Sequence, residues 1–312
     1  DIIIDELIKL GISHCFTVTG GASMHLNDAA EIRSEIGKTY MHHEQACAMA
    51  AEGYARSILK PALVICTAGP GAINSFNGIF GAYTDSIPMF VLFGQSKTET
   101  LRRTWGLNNL RQLGDQEAPI ISMVNEISKF STSLDFVPNE NRLRDLIETM
   151  YKFSTSGRPG PVILEVPVDL QALSINGDSN YLPNSPGLEV EPRATKQDVN
   201  RFLEILAESR RPIVLTGTGV LLENSAEAVE SFCSEFDIPV LTAWTHDTFN
   251  EESSVYVGRP GTIGTRSANM ILQNSDLLIV FGSRLNIRQV GYNYENFAPN
   301  AKLFKLILIN SS

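Results

Sequence analysis

The sequence has 312 residues, of which 43% are hydrophobic and 19% charged, with a formal net charge of −10 and a pI near 5.1. This length predicts two globular domains with ample cores, and the absence of any basic block argues against nucleic acid as a partner. No apolar run approaches the roughly 18 residues that span a bilayer, so we expect no membrane segment.

The first half of the chain alternates strands and helices. Residues 2–10 have helical spacing, and Gly11 ends that helix. Strands are predicted at 14–18, 38–41, 61–67, 88–94 and 162–166, with helices beginning near Ser23 and Glu44 and covering 72–82 and 143–153. The polar segment 95–116 is predicted to be an ordered active-site loop or an exposed connection. This alternation predicts a parallel α/β sheet with right-handed crossovers.

The second half repeats this alternation after a break. Residues 174–193 are rich in Asn, Ser, Pro and Gly, which is typical of a linker. Thr195 is predicted to cap the next helix, with Asp198 as its capping-box partner. Further strands are predicted at 212–216, 239–242, 276–282 and 302–309, with helices at 226–236 and 264–273. We therefore expect two parallel-sheet α/β domains, 1–172 and 194–312, joined by a linker at 173–193.

The four cysteines show no paired spacing and lie in apolar runs: Cys15, Cys47, Cys66 and Cys233. This pattern is typical of buried free thiols in a reducing cytoplasm and indicates neither a disulfide framework nor a metal site. The chain begins inside a predicted helix, without an initiator Met or a signal peptide. We therefore expect a cytoplasmic protein whose first few native residues are missing.

Glu44 lies at the junction of a predicted strand and a helix that is rich in alanine. In open α/β sheets, ligands bind beyond the carboxyl ends of the strands. A carboxyl among Ala, Met and Cys side chains would have its pKa raised by desolvation, and a neutral carboxyl can donate a hydrogen bond to a ring nitrogen. The alternative is a first-turn glutamate that complements the helix dipole.

Glu44 lies between two glycine motifs. Residues 16–24 contain Gly20-Gly21, residues 65–75 contain Gly-Pro-Gly, and Gly-Arg-Pro-Gly-Pro follows at 157–161. With these motifs in this order, the chain resembles the thiamine diphosphate-dependent enzymes, especially the acetolactate synthase group, over essentially all 312 residues. The resemblance implies a pyrimidine-binding domain at 1–172 and a Rossmann-like central domain at 194–312.

The resemblance also implies roles for individual residues. In the family, the glutamate matching Glu44 bonds the aminopyrimidine of thiamine, so that C2 of the thiazolium loses its proton. The glutamine matching Gln116 reaches the reaction centre, and both residues are our predicted catalytic groups. The other predicted thiamine contacts are Thr19, Gly20, Gly21, Pro70 and Asn74. The chain departs from the family at Val18-Thr19, where Tyr-Pro is common, and at Asp115, where an aromatic is usual; a more polar acceptor, such as a sugar-derived ketone, is therefore expected.

Three glycine turns follow strands in the second half, at 217–219, 261–265 and 282–288. Glycines let backbone N–H groups approach a phosphate, and arginines form charge-assisted pairs with it. The turns look like the FAD-binding middle domain of the acetolactate synthases, although Asn286 replaces a common Asp and many relatives keep the domain without flavin. The FAD contacts implied are Arg158, Gly217, Gly219, Gly264, Thr265, Gly282, Arg284 and Arg288.

The resemblance finally implies partners and a reaction. Thiamine enzymes hold the diphosphate through Mg²⁺ with a Gly-Asp-Gly motif that this sequence lacks, so we expect the metal ligands outside this chain, which would be a fragment. A 2-keto acid such as pyruvate would be decarboxylated and its two-carbon unit passed to a second carbonyl, in a homodimer or homotetramer. One alternative is a 2-keto acid decarboxylase that does not ligate. Another is a non-catalytic nucleotide-binding fragment, and the presence of both Glu44 and Gln116 argues against this second alternative.

Overall fold

The computed structural model of the protein describes residues 1–135, 139–176, 194–244, 249 and 252–306. The chain divides into two compact units, Asp1–Glu189 and Val190–Ser312, and the division falls within the predicted linker. Most of that linker, 177–193, lies outside the described residues. Within the part of the chain that is described, every helix is too short or too polar to cross a membrane.

The first unit is built on a parallel sheet of six strands in the order β2-β1-β3-β4-β6-β5. The strands are β1 (His14–Thr17), β2 (Gly37–Tyr40), β3 (Ala62–Cys66), β4 (Met89–Gln95), β5 (Phe130–Ser133) and β6 (Pro161–Pro167). The helices are α1 (Ile2–Lys9), α2 (Met24–Glu31), α3 (Glu44–Ile58), α4 (Pro70–Asn74), α5 (Phe76–Asp85), α6 (Ile120–Val124), α7 (Glu140–Thr155) and α8 (Val168–Gln171).

The central strands β3, β4 and β6 are buried along their whole length because helices cover both faces of the sheet. On one face, Leu7 of α1 and Ile147 of α7 pack in one cluster with Phe90 and Leu92 of β4. On the other face, α3 and α5 approach so closely that a Cβ on Gly78 would lie 2.5 Å from the Cβ of Ala48. The small residues of the α3 sequence make this close packing possible.

Several features of the first unit differ from the sequence prediction, among them the short helices α6 and α8, which were not predicted. The single helix predicted at 72–82 is two helices, α4 and α5, because the Ser75 hydroxyl donates to the Ala72 carbonyl at 2.6 Å and interrupts the helical bonding. Strand β5, which pairs with β6 at the sheet edge, was not predicted. Its Phe-Ser-Thr-Ser sequence is too polar and too short to stand out as a strand.

The second unit contains, among its described residues, a parallel sheet of five strands in the order β11-β10-β7-β8-β9. The strands are β7 (Pro212–Thr216), β8 (Val240–Thr242), β9 (Tyr256–Gly258), β10 (Leu277–Phe281) and β11 (Lys302–Leu306). The helices are α9 (Lys196–Glu208), α10 (Thr218–Leu222), α11 (Ala226–Glu235), α12 (Arg266–Asn274) and α13 (Ile287–Val290). The end of the strand predicted at 302–309 lies outside the described residues.

The predicted fold class, two parallel-sheet α/β domains, is confirmed. The capping box is also confirmed, since Thr195 and Asp198 exchange side-chain and backbone hydrogen bonds at the start of α9. All four cysteines are free and buried, as expected. Burial raises the pKa of Cys47 and of Cys233 to about 12, so both thiols stay protonated at neutral pH.

Candidate active site

The loops that carry the predicted thiamine contacts leave the carboxyl ends of β1, β2 and β3. In the sheet, β2 lies on one side of β1 and β3 lies on the other. The direction in which successive strands are added therefore reverses between β1 and β3. Loops part at such a point and leave a crevice where ligands bind in open α/β sheets. The fold therefore places the site where the sequence predicted it.

Thr67, directly after β3, joins the loops on either side of the crevice. Its hydroxyl accepts a hydrogen bond from the Ala22 N–H at 3.1 Å. A Cβ on Gly20 would lie 2.4 Å from the Thr67 Cβ, and a Cβ on Gly71 would lie 2.7 Å from its Cγ2. Glycine is thus required at both positions for the loops to approach each other.

Glu44 is the first residue of α3, and it is half-buried rather than enclosed. Its Oε2 accepts a hydrogen bond from Asn74 Nδ2 at 3.1 Å. A Cβ on Gly71 would lie 3.2 Å from Glu44 Oε1, so the third loop also borders the carboxylate. Pro70 is exposed and begins α4, which places Asn74 one turn further on. The structure therefore brings Glu44 and Asn74 together, as predicted from motifs that lie 30 residues apart.

Gln116 borders the same crevice from the segment between β4 and α6. Its backbone has φ +57°, which is uncommon for a residue other than glycine. A Cβ on Gly69, itself at φ +54°, would lie 2.3 Å from the Gln116 carbonyl oxygen. Gln116 therefore approaches the turn after β3 only because residue 69 is glycine.

A pocket of about 870 Å³ opens at this place. Its lining comprises Gly20, Gly21, Ala22, Met24, His25, Thr67, Ala68, Lys97, Asp115, Gln116, Val168, Asp169 and Ala172. Glu44 and Asn74 are not in that lining; they lie next to it, behind Thr67 and Gly71. Thr19, the remaining predicted contact, is exposed just before the glycine pair.

The charged groups of the pocket differ in what they contact. Asp169 Oδ1 accepts hydrogen bonds from the N–H and the hydroxyl of Thr98, at 2.9 and 3.1 Å, so this carboxylate caps the turn at 98–100. The Asp115 side chain is exposed at the pocket, and only its backbone carbonyl is held, by the Ser96 hydroxyl at 2.7 Å. Lys97 is also exposed there. Asp115 and Lys97 therefore offer a bound molecule one charge of each sign.

Sequence reasoning missed the polar groups that shape the loop around Gln116. Glu117 Oε1 accepts from the Arg102 N–H at 3.0 Å, and its Oε2 accepts from the N–H groups of Leu113 and Gly114 at 2.9 and 3.2 Å. Beneath the loop lies Glu165, which is fully buried in β6. The one available signal was an acidic residue inside the apolar run 161–167.

The glycine turns of the second unit correct one expectation. The Gly217 N–H donates to the Phe281 carbonyl at 2.8 Å, and the Gly219 N–H donates to the Gly282 carbonyl at 3.0 Å. A Cβ on Gly217 would lie 2.4 Å from the Gly282 oxygen. The prediction that these two N–H groups face a phosphate is therefore wrong, because the glycines serve close packing of the turns after β7 and β10.

Gly264 and Thr265 also make contacts within the second unit. A Cβ on Gly264 would lie 2.1 Å from the Arg259 carbonyl oxygen, and the Thr265 N–H donates to that oxygen at 2.9 Å. The Thr265 hydroxyl caps α12 by accepting from the Ala268 N–H at 3.3 Å. These two residues shape the turn before α12.

Arg284 and Arg288, the flavin contacts predicted in the second unit, are exposed, and Arg288 adjoins buried polar atoms. The Arg288 guanidinium lies 5.6 Å from the centre of the Trp244 ring. Trp244 Nε1 and both amide atoms of Gln289 are buried without a hydrogen-bond partner among the described residues. Buried polar atoms are costly when unpaired, so this cluster fits a polar aromatic ligand. Arg284 is exposed in the same turn.

Arg158, predicted as a further flavin contact, lies in the first unit. Its Nε donates to the Ser86 hydroxyl at 2.6 Å and its Nη2 to the Thr84 carbonyl at 3.1 Å. These bonds tie the segment before β6 to the end of α5. For the metal, no group of three His, Cys, Asp or Glu side chains that could hold an ion occurs within the described ranges.

Comparison with known proteins gives two family matches. Residues 1–118 match the N-terminal, thiamine pyrophosphate-binding domain of the thiamine pyrophosphate enzymes, and residues 199–312 match their central domain. Among relatives, the chain is 35% identical to acetolactate synthase 3, chloroplastic, of Brassica napus, over 97% of this chain and 45% of that protein.

Two further relatives match nearly the same share of the chain. Identity is 32% to the chloroplastic acetolactate synthase of Arabidopsis thaliana, over 97% of this chain and 43% of the relative. It is 30% to the acetolactate synthase large subunit of Lactococcus lactis, over 96% of this chain and 50% of the relative. The chain thus spans about half the length of the curated relatives it matches.

Proposed function

The chain belongs to the thiamine pyrophosphate enzyme family, and we propose that it is part of a thiamine diphosphate-dependent carboligase that takes a 2-keto acid as donor and a second carbonyl compound as acceptor. In this proposal, the first unit binds the pyrimidine of the cofactor and the second is the central domain. The observation that carries it is the contact between Glu44 and Asn74, 3.1 Å long, at the crevice between β1 and β3.

Glu44 acts as the proton-exchanging group in this mechanism. Its carboxyl would share a proton with a nitrogen of a bound pyrimidine ring, and the Asn74 amide would hold the carboxylate for that exchange. Gly20 and Gly71 allow their loops to pack on Thr67, and a Cβ on Gly21 would meet nothing within 4 Å. When bound, thiamine diphosphate supplies a carbon nucleophile that adds to the keto acid and accepts the electrons left when CO₂ departs.

The acceptor is a polar carbonyl compound in this proposal. Gln116, Asp115 and Lys97 line the pocket together. An amide, a carboxylate and an ammonium group can bind hydroxyl and carbonyl oxygens, whereas a small apolar acceptor would leave them unpaired. Hydroxylated ketones, such as those derived from sugars, can also donate hydrogen bonds to the Asp115 carboxylate, whereas pyruvate has acceptor oxygens only.

The test is a product assay on the complete protein with pyruvate, Mg²⁺ and thiamine diphosphate. CO₂ release together with a ligated product, both dependent on thiamine diphosphate, supports the carboligase. Supplying hydroxylated ketones beside pyruvate should raise the yield of ligated product. CO₂ release with acetaldehyde as the end product favours the decarboxylase, and tight cofactor binding without any turnover favours a binding protein.

FAD is the second cofactor of the proposal, held by the second unit. Support comes from the exposed Arg284 and from the cluster of Arg288, Trp244 and Gln289, whose unpaired buried atoms would find partners in a ligand. The flavin would be structural here, since the proposed reaction has no net redox step. Mg²⁺ would be bound together with the diphosphate by groups beyond those described here.

A homodimer, or a homotetramer built from it, completes the proposal. Helices α3, α4 and α5 expose large apolar side chains to solvent, namely Met49, Ile73, Phe80 and Tyr83. Clustered exposed apolar side chains mark interaction surfaces, and this surface borders the predicted cofactor site. Light scattering on the complete protein tests this part, since a monomer at micromolar concentration would contradict it.

A further inference from the structure

Two chains of hydrogen bonds, here called arms, connect one loop to the same buried carboxylate. The loop runs from Ser96 to Ala118, between β4 and α6, and presents Gln116 to the pocket. Beneath it, Glu165 of β6 is fully buried. Its Oε1 accepts a hydrogen bond from Arg103 of the loop, and its Oε2 accepts one from Gln95, the last residue of β4.

The first arm passes through Arg103. Its Nη1 donates to Glu165 Oε1 at 2.8 Å, and its Nη2 contacts the Ser133 hydroxyl and the Asp135 carboxylate, both at 2.7 Å. The neighbouring N–H, that of Arg102, donates to Glu117 Oε1 at 3.0 Å. A shift of Arg103 would therefore be passed to Glu117, directly beside Gln116.

The second arm passes through Gln95, which is also fully buried. Its Nε2 donates to Glu165 Oε2 at 2.9 Å and to the Ala118 carbonyl at 3.2 Å. Ala118 directly follows Glu117, so this arm reaches the same point from the other side. The first arm thus ends at Glu117, whose carboxylate accepts three backbone N–H groups of the loop. The second arm ends at the next residue, Ala118.

We propose that Glu165 is a positioning residue that fixes Gln116 in the pocket through Arg103 and Gln95. This inference rests on the proposed function insofar as Gln116 acts on the substrate. The strained backbone of Gln116, at φ +57°, is the kind of conformation that persists only when surrounding contacts hold it. Glu165 is linked through Arg103 and Gln95 to Glu117 and Ala118, the two residues that follow Gln116. It does not itself line the pocket.

Glu165→Gln is the decisive substitution, because both oxygens of the carboxylate accept from donors. An amide must turn its NH₂ toward either Arg103 or Gln95, so one donor loses its acceptor and that arm is released. The matched control is Glu6→Gln. Glu6 is likewise a buried carboxylate paired with an arginine, Arg144, but it lies on α1, away from the loop.

The first measurement follows the loop itself, in the complete protein. Brief trypsin treatment with mass spectrometry reports cleavage after Arg102, Arg103 and Arg111. Glu165→Gln should be cut there at least about tenfold faster than the wild type, while Glu6→Gln should match the wild type. Equal cleavage in the two variants would overturn the proposal. This measurement does not depend on catalysis, so it stands even if the proposed function fails.

The second measurement is a double-substitution cycle with Gln116→Ala, read as kcat/KM for the keto acid. A displacement of about 1 Å can cost about a hundredfold in rate, so Glu165→Gln alone should lose on that order, mainly in kcat. In the Gln116→Ala background the same substitution should have almost no further effect, because nothing is left to position. Losses that simply multiply would show that Glu165 acts otherwise, and the proposal would fall.

A second variant covers the case in which Glu165→Gln does not fold. Gln95→Met removes the amide that links Glu165 to Ala118 and leaves the carboxylate with Arg103. It should reproduce most of the kinetic loss and the same dependence on Gln116. Full activity in Gln95→Met would overturn the second arm. A wild type that turns over no keto acid would overturn the proposed function, and the proteolysis would then decide the loop contacts alone.

Discussion

Asn74 donates a hydrogen bond to Glu44 across 3.1 Å and so connects the end of α4 to the first turn of α3. The helix break at Ser75 comes directly after Asn74. Segments that leave β2 and β3, the strands on either side of β1, thus contribute to one carboxylate–amide pair. This pair is the chemical centre from which the first two predictions start.

Glu44→Gln should lower turnover at least about a hundredfold, because an amide cannot exchange a proton with the cofactor ring. Steady-state kinetics of the complete protein measures this, with circular dichroism to show that folding is intact. Glu52→Gln is the control, since Glu52 lies on the same helix and pairs with Arg56 instead. Near-normal turnover in Glu44→Gln would remove Glu44 from the mechanism.

Asn74→Ala should have a smaller effect than Glu44→Gln, on the order of tenfold in turnover. It removes one hydrogen bond to a carboxylate, and such bonds contribute about 1.5–3 kcal/mol. Combined with Glu44→Gln, it should add little, because both changes disable the same pair. Asn77→Ala, at an exposed position three residues on, serves as the control. A larger loss in Asn74→Ala than in Glu44→Gln would contradict this order of roles.

Gly69→Ala should impair activity through Gln116, because the new Cβ would lie 2.3 Å from the Gln116 carbonyl oxygen. Gly106→Ala is a control in the loop that carries Gln116, since Gly106 has φ +64° but nothing within 4 Å of the position of a Cβ. The backbone cost is about 1–2 kcal/mol at Gly106, which is left-handed helical, and it is larger at Gly69, which has ψ −117°. Kinetics should show loss of activity only in Gly69→Ala, and thermal unfolding should show the larger loss of stability there. Equal activities would mean that the approach to Gln116 has no functional weight.

The purified complete protein should carry FAD, seen as absorbance near roughly 450 nm that is released on denaturation. Arg284→Ala should weaken flavin retention about ten- to a hundredfold, because a charge-assisted bond to phosphate is worth about 1.5–3 kcal/mol. Titration of the apoprotein with FAD measures this, and Arg201→Ala, on the exposed face of α9, should leave the affinity unchanged. Protein that stays colourless with excess FAD would refute the flavin proposal.

Asp276 should make the stability of the second unit depend on acid pH. Partial burial raises its pKa, but hydrogen bonds from the Ser209 hydroxyl and from the N–H groups of Arg210 and Arg211 lower it more, from 3.8 to about 2. The ionised form therefore stabilises the fold above pH 3.8, and this contribution is lost as the pH falls through about 2.

Asp276→Asn should accordingly lower the unfolding temperature at pH 7, and the gap to the wild type should close as the pH falls from 3.8 toward 2. Scanning calorimetry at several pH values measures both temperatures. The exposed Glu204, replaced by Gln, should show no such gap. A difference that persists unchanged in acid would mean that the charge of Asp276 is not what stabilises the fold.

Sequence reasoning located the fold and the centre of the candidate site because both have local signals. Buried parallel strands appear as apolar runs, and paired glycines after strands mark the loops where backbones approach closely. Glu44 and Asn74 were found through motifs, and the structure brings them into contact. Strand β5 was missed because its residues alternate neither in polarity nor in size.

The supporting groups could not be found in the same way. Gln95 and Glu117 look ordinary in sequence, and Glu165 stands out only as an acidic residue in an apolar run. The importance of all three arises from partners up to 70 residues away in the chain. The roles of Gly217 and Gly219 were misjudged for a related reason. A glycine motif after a strand shows that the backbone comes close to something, but not whether that partner is a ligand or another turn of the protein.

The side chain at position 67 restricts which residues can occupy other positions in the chain. Its methyl carbon lies 2.7 Å from where a Cβ on either Gly20 or Gly71 would be, while its hydroxyl holds Ala22. A serine at 67 would keep the hydroxyl and vacate the space of the methyl group. Positions 67 and 71 should therefore covary during evolution, with alanine tolerated at 71 only in lineages where residue 67 has lost its methyl group. Position 20 should stay glycine, because a Cβ there would still lie 2.4 Å from the Cβ of residue 67.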